Sequence, residues 1–109
     1  ELKAYIDSLG GLWAQGKLNG KVGSAFAGSA TPHGGNEVTS LSLFPVMAHL
    51  GLIIVPPGFA DAAMFAGAGT PYGASVVSGN PPAGPSEAEL AVGRFQGQRV
   101  AQVAKKLKS

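Results

Sequence analysis

Apolar residues along this chain fall into two kinds of pattern, helical spacing and short β-branched runs. Residues 2–9 carry apolar side chains at the three- and four-residue spacing of an amphipathic helix, which we expect to end at the double glycine Gly10-Gly11. The glycine-punctuated residues 12–20 predict a loop. The chain therefore begins with a predicted helix followed by a connecting segment.

A strand, a helix and a second strand are predicted next. Residues 21–27 predict a strand buried on both faces, and residues 52–55 predict another strand, which ends at two prolines. Between them, residues 36–50 predict a helix that is apolar nearly all round and kinked at Pro45. This order is typical of a parallel crossover, so we expect an α/β fold in which other structure covers the helix on two sides.

The rest of the chain predicts a long loop and a long helix. Residues 56–85 predict a loop longer than a compact domain usually contains unless it serves a site or an interface. Ser86 and Glu89 have the spacing of a capping box and predict a helix that runs to about Leu107. Small residues on this helix form a stripe that we expect to pack closely on a sheet: Gly93, Gly97, Ala101 and Ala104.

Composition and charge narrow the class of protein. Of the 109 residues, 45% are hydrophobic and 13% are charged, which argues against an intrinsically disordered chain. The absence of Cys excludes a disulfide scaffold, an iron–sulfur cluster and a thiolate zinc site. No apolar run has the length of a membrane span, so we expect none. Five of the eight basic residues lie within residues 94–109, where they offset a helix dipole, and this interpretation is favoured over nucleic-acid binding.

The polar residues offer few candidates for catalysis. His33 and His49 have no acidic residue at ligand spacing, so no metal site is expected, and the chain has neither a G-x-S-x-G elbow nor a Walker loop. What remains is a glycine-rich loop, residues 28–35, between a predicted strand and a predicted helix. Open α/β sheets bind ligands at such positions, although an ordinary turn is an equal alternative. His49 could equally be a core histidine, and Trp13 an anchor for its own loop.

Five sequence blocks nevertheless resemble one family of redox proteins. They are Gly10-Gly11-Leu12-Trp13-Ala14, His33-Gly34-Gly35-Asn36-Glu37-Val38-Thr39, Ala48-His49 with Gly51, Thr70-Pro71-Tyr72-Gly73-Ala74-Ser75, and Pro85-Ser86 with Arg94-Phe95-Gln96-Gly97. Across essentially its whole length the chain resembles the C-terminal half of the WrbA-type NAD(P)H:quinone oxidoreductases, which are FMN proteins of the flavodoxin-like class. The resemblance implies a three-layer α/β/α fold with a parallel sheet. Residues 1–109 would be the C-terminal portion of one such domain, with about two strands and three helices.

The resemblance also implies roles for particular residues. It implies that Trp13 lines the cavity for nicotinamide and quinone, and that His49 lies near the flavin. The residues implied to wrap around the edge of the flavin ring form one loop: Gly28, Ser29, Ala30, Thr31, Pro32, His33 and Gly34. No side chain is implied to be catalytic, because FMN itself carries the reaction in this class.

The implied activity is two-electron reduction of quinones through FMN, with NAD(P)H as cosubstrate. The resemblance further implies a cytoplasmic homo-tetramer whose active sites lie where subunits meet. The alternative is a flavodoxin-like structural or interaction module without redox function, because the family's FMN phosphate loop follows an earlier strand than any in these 109 residues. For the same reason the isolated chain is expected to be inactive.

Overall fold

A computed structural model describes residues 1–108. In chain order its elements are α1 (Leu2–Asp7), α2 (Gly10–Ala14), β1 (Val22–Gly23), β2 (Phe26–Ser29), α3 (Asn36–His49), β3 (Ile53–Ile54), α4 (Ala62–Phe65), β4 (Ala74–Val77) and α5 (Glu87–Lys108). The α/β class predicted from the sequence is confirmed, and the arrangement fits part of a flavodoxin-like fold. No helix in this part of the chain combines the length and the apolar character needed to cross a bilayer.

The strands form two parallel pairs. β1 pairs with β3 in the register Val22↔Ile53, and β2 pairs with β4 in the register Phe26↔Ala74. The unit β1–α3–β3 is therefore the predicted parallel crossover. The predicted strand 21–27 is interrupted at residues 24–25, where its partner changes from β3 to β4. The prediction of two buried faces is wrong at Phe26, which is 79% exposed because nothing in residues 1–108 covers that face.

The double glycine does not end the first helical region. α1 already ends at Asp7, and the short helix α2 begins at Gly10, so that Leu12 and Trp13 are helical where the sequence predicts a loop. The backbone N–H of Trp13 donates to the carbonyl oxygen of Leu9 at 2.9 Å. A tertiary contact of Trp13, described below, accounts for the helix, since such contacts commonly override the weak helix propensity of glycine.

Residues 56–85 contain two elements that the sequence did not predict. Asp61 is the N-cap of α4, and its side chain accepts a hydrogen bond from the N–H of Ala63 at 2.9 Å. β4 follows as a four-residue strand. β4 was missed because its sequence, Ala-Ser-Val-Val, is too short to show a period and depends on pairing with β2. Residues 1–108 therefore contain four strands and five helices, more than the two and three expected.

The two long helices match their predictions in extent but differ in packing. α3 spans nearly all of the predicted residues 36–50 and includes Pro45; its kink stays a prediction. One side of α3 faces the sheet, whereas Val38 on another side is 71% exposed. α5 packs through the buried side chains of Val92 and Gln96. The small-residue stripe is unpacked at its two glycines within residues 1–108, because a Cβ added at Gly93 or Gly97 would meet nothing within 4 Å.

Candidate functional site

The predicted flavin loop, residues 28–34, begins with the last two residues of β2 and ends just before Gly35, the N-cap of α3. Its shape depends on two hydrogen bonds to the carbonyl oxygen of Thr31: the hydroxyl of Ser29 donates at 2.8 Å and the N–H of Gly34 at 3.1 Å. A Cβ added at Gly34 would overlap the side chain of Ser29. Glycine is therefore required at position 34 for the loop to close on itself.

This loop presents hydrogen-bond donors to solvent. Within residues 1–108 the backbone N–H groups of Thr31 and His33 donate to no protein atom, and both residues are exposed. α3 begins at Asn36, so these donors lie close to the positive end of a helix dipole. A set of free N–H groups at a helix N-terminus suits the carbonyl edge of a ring or an anion, and the residues present therefore fit the polar edge of a flavin.

Strand β4 holds the loop from its other side. The N–H of Ser78 donates to the carbonyl oxygen of Ser29 at 2.9 Å, and the N–H of Gly79 donates to that of Ala30 at 3.0 Å. These bonds continue the β2–β4 pairing beyond the last paired residues, Ser29 and Val77. The start of the loop is therefore fixed by backbone bonds and does not depend on its own exposed side chains.

A polar cavity of about 390 Å³ lies beside the loop. It extends from the loop and the first turn of α3 to β4 and α5, and its lining includes His33, Asn36, Thr70, Ser75 and Glu89. Asn36 is 7% exposed, and its side-chain amide has no hydrogen-bond partner within residues 1–108. The space next to the free loop donors is thus polar and can take a ligand that both donates and accepts hydrogen bonds.

Trp13 and His49 form a second candidate group at the other end of α3. Their rings stack with centroids 5.1 Å apart and an interplanar angle of 22°, and the indole Nε1 donates to the carbonyl oxygen of His49 at 3.1 Å. Beside them lies an apolar cleft of about 640 Å³ between α1 and α3, lined in part by Leu2, Ile6 and Leu43. The structure therefore brings together Trp13, which was implied to line the cavity for nicotinamide and quinone, and His49, which was implied to lie near the flavin.

The structure does not bring this pair to the flavin loop. α3 has 14 residues between the loop and His49, and at about 1.5 Å per residue this corresponds to about 20 Å. Within one chain, the loop and the Trp13–His49 pair are therefore two separate groups. The helix predicted over residues 36–50 already implied this separation.

Two polar residues of α5 that hydrogen-bond to β4 were not predicted as functional. The predicted capping box is present: the hydroxyl of Ser86 accepts from the N–H of Glu89 at 3.1 Å, and the Glu89 carboxylate accepts from the N–H of Ser86 at 2.8 Å. The same carboxylate also accepts from the N–H of Val77 at 2.7 Å. Gln96 is 6% exposed and bonds to three different residues. The capping-box motif identified Glu89, but no sequence signal pointed to its bond with β4.

Hydrogen bonds to Glu89 favour its charged form. The backbone N–H of Ser86, with further bonds from Val77 and the Ser86 hydroxyl, lowers the pKa of the Glu89 carboxyl below its ordinary value of 4.5, although partial burial opposes this effect. No three His, Asp or Glu residues within residues 1–108 are placed to share a metal ion. The candidate site therefore offers backbone donors and small side chains to a ligand, whereas the Glu89 carboxylate at its edge already accepts hydrogen bonds from Ser86 and Val77.

The fold fits part of a flavodoxin-like α/β protein, with a glycine-rich loop at the carboxyl end of a parallel strand. No protein-family model matches the chain. Curated proteins named NAD(P)H dehydrogenase (quinone) do match: one from Sinorhizobium fredii is 48% identical and one from Methylocella silvestris is 47% identical. A protein of the same name from Rhodopseudomonas palustris is 43% identical.

These matches cover 98–99% of the chain but only 56–57% of each relative. The chain is therefore a relative of proteins named NAD(P)H dehydrogenase (quinone), and the resemblance predicted from the sequence is confirmed to that extent. It spans about half the length of the curated relatives that it matches. Their name includes NAD(P)H and quinone but neither FMN nor the WrbA type, which stay predictions.

Proposed function

We propose that this chain is part of an FMN-dependent NAD(P)H:quinone oxidoreductase and that it supplies the loop around the polar edge of the flavin. The observation that carries the proposal is the pair of free N–H donors at Thr31 and His33, at the end of β2 and beside the N-terminus of α3. Ligands of open α/β sheets bind at this position. The names of the relatives support the NAD(P)H and quinone parts of the proposal.

In this proposal the protein binds and orients, and no side chain acts as an acid or a base. Bound FMN would supply the two-electron chemistry between NAD(P)H and a quinone. The N–H groups of Thr31 and His33 donate to the carbonyl edge of the ring, where they favour negative charge. Because backbone bonds to Ser78 and Gly79 hold the start of the loop, these donors are oriented before the ligand arrives.

We further propose that a complete site takes residues from two copies of the chain. The loop and the Trp13–His49 pair lie about 20 Å apart along α3, so one copy cannot place both against the same ring. In a homo-oligomer, the Trp13 and His49 of one copy can cover the loop of another. A homo-tetramer with sites between subunits, as the family resemblance implies, satisfies this requirement.

A second candidate is a structural or interaction module without redox function. Exposed apolar side chains favour it, since Phe26 is 79% exposed and Val38 is 71% exposed, and both need cover from another polypeptide or chain segment. The two candidates differ in one property. The enzyme binds FMN and oxidises NAD(P)H, whereas the module does neither.

The test uses the protein encoded by the full reading frame that contains these residues. After purification with added FMN, its absorbance is scanned from about 350 to 500 nm and NAD(P)H oxidation is followed with benzoquinone, with the Sinorhizobium fredii relative treated identically as the control. A yellow protein that turns over quinone supports the enzyme. A colourless and inactive protein beside an active control contradicts it and supports the module.

A further inference from the structure

We infer that α5 positions the flavin loop through two side chains, Glu89 and Gln96, which hydrogen-bond to the two ends of β4. We call this pair the β4 clamp. The inference rests on the proposed function for the role of the loop, but the contacts of the clamp are independent of any flavin. Glu89 and Gln96 are seven residues apart, about two helical turns, and so lie on the same face of α5.

Gln96 joins the first residue of β4 to the break between β1 and β2. Its side-chain oxygen accepts from the N–H of Ala74 at 2.6 Å, and its side-chain nitrogen donates to the carbonyl oxygen of Ala25 at 2.8 Å and to the hydroxyl of Ser24 at 2.6 Å. That hydroxyl in turn donates to the carbonyl oxygen of Val55 at 2.8 Å. Gln96 therefore connects the start of β4 to residues 24–25, where the chain changes its pairing partner from β3 to β4.

Packing around this point leaves little freedom. Ala25 is 2% exposed and Gln96 is 6% exposed, and a Cβ added at Gly73 would overlap the carbonyl oxygen of Ala25. A buried amide with all its bonds made is costly to disturb, because a lost partner leaves a polar group unpaired away from water. The start of β4 is thus held in one register against β2.

Glu89 holds the other end of β4. Its carboxylate accepts from the N–H of Val77, the last residue of the strand, at 2.7 Å. Within residues 1–108, β4 pairs with a strand on one side only, so an N–H directed away from β2 needs another partner. The carboxylate supplies that partner, and a charged acceptor makes a stronger hydrogen bond than a neutral one.

The clamp reaches the loop through the two residues that follow Val77. Ser78 and Gly79 donate their N–H groups to the carbonyl oxygens of Ser29 and Ala30, the residues from which the loop departs. Thr31, which carries one of the free donors, is next in the chain. A shift of the end of β4 would therefore displace the donors proposed to contact the flavin. Glu89 and Gln96 are positioning residues in this scheme, since neither is proposed to touch a ligand.

Helix capping alone does not explain the hydrogen bonds of the Glu89 carboxylate. The capping box needs only the reciprocal bonds between Ser86 and Glu89, whereas Val77 lies outside the helix, 12 residues away. This difference provides a matched control. Ser86→Ala removes the bond from the N–H of Glu89 to the Ser86 hydroxyl and leaves the bond to Val77. Glu89→Ala removes the carboxylate's bonds to the N–H groups of Ser86 and Val77 and leaves the hydroxyl cap.

Amide hydrogen exchange in the protein encoded by the full reading frame tests the clamp without reference to activity. We expect Glu89→Ala to accelerate exchange at Ser78 and Gly79 at least tenfold relative to amides in the middle of α3, and Ser86→Ala to leave this ratio unchanged. Glu89→Gln retains one acceptor oxygen and should fall between the two. Equal ratios in Glu89→Ala, Ser86→Ala and the unchanged protein would overturn the clamp at Glu89.

Gln96 is tested in the same way with two variants of similar size. Gln96→Met removes every hydrogen bond of the side chain, whereas Gln96→Glu keeps an acceptor for Ala74 and loses the donor. Gln96→Met should accelerate exchange at Ala74 and at Ser78, with partial recovery at Ala74 in Gln96→Glu. If Gln96→Met fails to fold, Gln96→Glu is compared with the unchanged protein instead. Unchanged amide exchange at Ser78 in Gln96→Glu would contradict a role for the Gln96 side-chain donor.

Measuring the affinity of the unchanged protein and of the variants for FMN then distinguishes a failure of the clamp from a failure of the proposed function. If the unchanged protein binds FMN, Glu89→Ala should weaken binding at least fivefold and Ser86→Ala less than twofold. If the unchanged protein does not bind FMN, the proposed function fails while the exchange results still decide the clamp. Normal FMN affinity in Glu89→Ala despite faster exchange at Ser78 would contradict the step from clamp to flavin loop.

Discussion

The indole of Trp13 stacks on the imidazole of His49 at a centroid distance of 5.1 Å, and its Nε1 donates to the carbonyl oxygen of His49 at 3.1 Å. A residue from α2 is thus fixed on the last residue of α3, although 36 positions separate them. This relationship explains why Gly10 and Gly11 are helical. It also sets the distance between the pair and the flavin loop, on which the proposed shared site depends.

Two substitutions of Trp13 should separate the stability contributed by its indole N–H bond from that contributed by its stacking on His49. Trp13→Phe keeps an aromatic ring and loses the N–H bond, which should lower the free energy of unfolding by about 1 kcal/mol. Trp13→Ala also loses the stacking and should lower it by about 2 kcal/mol. Urea unfolding followed by far-UV circular dichroism measures both values. Two variants as stable as the unchanged chain would show that the contact does not hold α2.

The flavin loop should be intolerant of a methyl group at one glycine and tolerant at another. Gly34→Ala places a Cβ against Ser29 and should cost about 1–3 kcal/mol of unfolding free energy, as overpacking does. At Gly28 the nearest atom to an added Cβ is the carbonyl oxygen of Val76 at 3.7 Å, an ordinary contact. Gly28→Ala should therefore change the unfolding free energy by less than about 1 kcal/mol. Equal losses at the two positions would contradict the described shape of the loop.

Whether substitutions in the small-residue stripe stabilise or destabilise the protein depends on whether another element covers α5. In the 109-residue chain, Gly93→Ala and Gly97→Ala place methyl groups in open space within a helix, so each should stabilise by about 0.5–1 kcal/mol. In a longer protein in which another element packs on the stripe, the same substitutions should destabilise. Thermal unfolding of both proteins checks this. Stabilisation in both would mean that the stripe stays open in the longer protein.

Protonation of Glu89 should weaken the structure in acid. Because hydrogen bonds lower the pKa of its carboxyl below 4.5 in the folded state, Glu89 contributes stability that is fully present above about pH 4.5. That contribution is lost as the pH falls through the folded pKa. The difference in unfolding free energy between the unchanged chain and Glu89→Gln should therefore be constant from pH 5 to 7 and shrink below pH 4.5. A difference that does not vary with pH would contradict the charged hydrogen bonds.

Elements with a strong local signal were predicted well from the sequence. The apolar run of α3 and the capping box at Ser86 lie within one stretch of chain each, and both are present in the structure. β4 was not predicted, because four residues carry no usable period and their conformation depends on pairing with β2. The interruption at Ser24 and Ala25 depends in turn on Gln96, more than 70 positions away.

Only the part of the candidate site that has a local sequence signal was predicted. The glycine-rich loop after a strand is a local pattern, and it lies where the sequence placed it, at the end of β2. The distance of His49 from the loop follows from the length of α3, which the sequence predicted, whereas the contact of His49 with Trp13 follows from packing between helices. The bond between Glu89 and Val77 joins two elements, one of which had not been predicted. Such relationships between distant residues have no local sequence signal.

The most direct test of the flavin loop is the response of its free amides to FMN. In the protein encoded by the full reading frame, labelled with ¹⁵N, titration with FMN should shift the resonances of Thr31 and His33 in a saturable manner, in parallel with quenching of flavin fluorescence. Amides in the middle of α5, which lie away from the loop, should stay in place. Saturable FMN binding that leaves the Thr31 and His33 amides unchanged would contradict the central claim that this loop contacts the flavin.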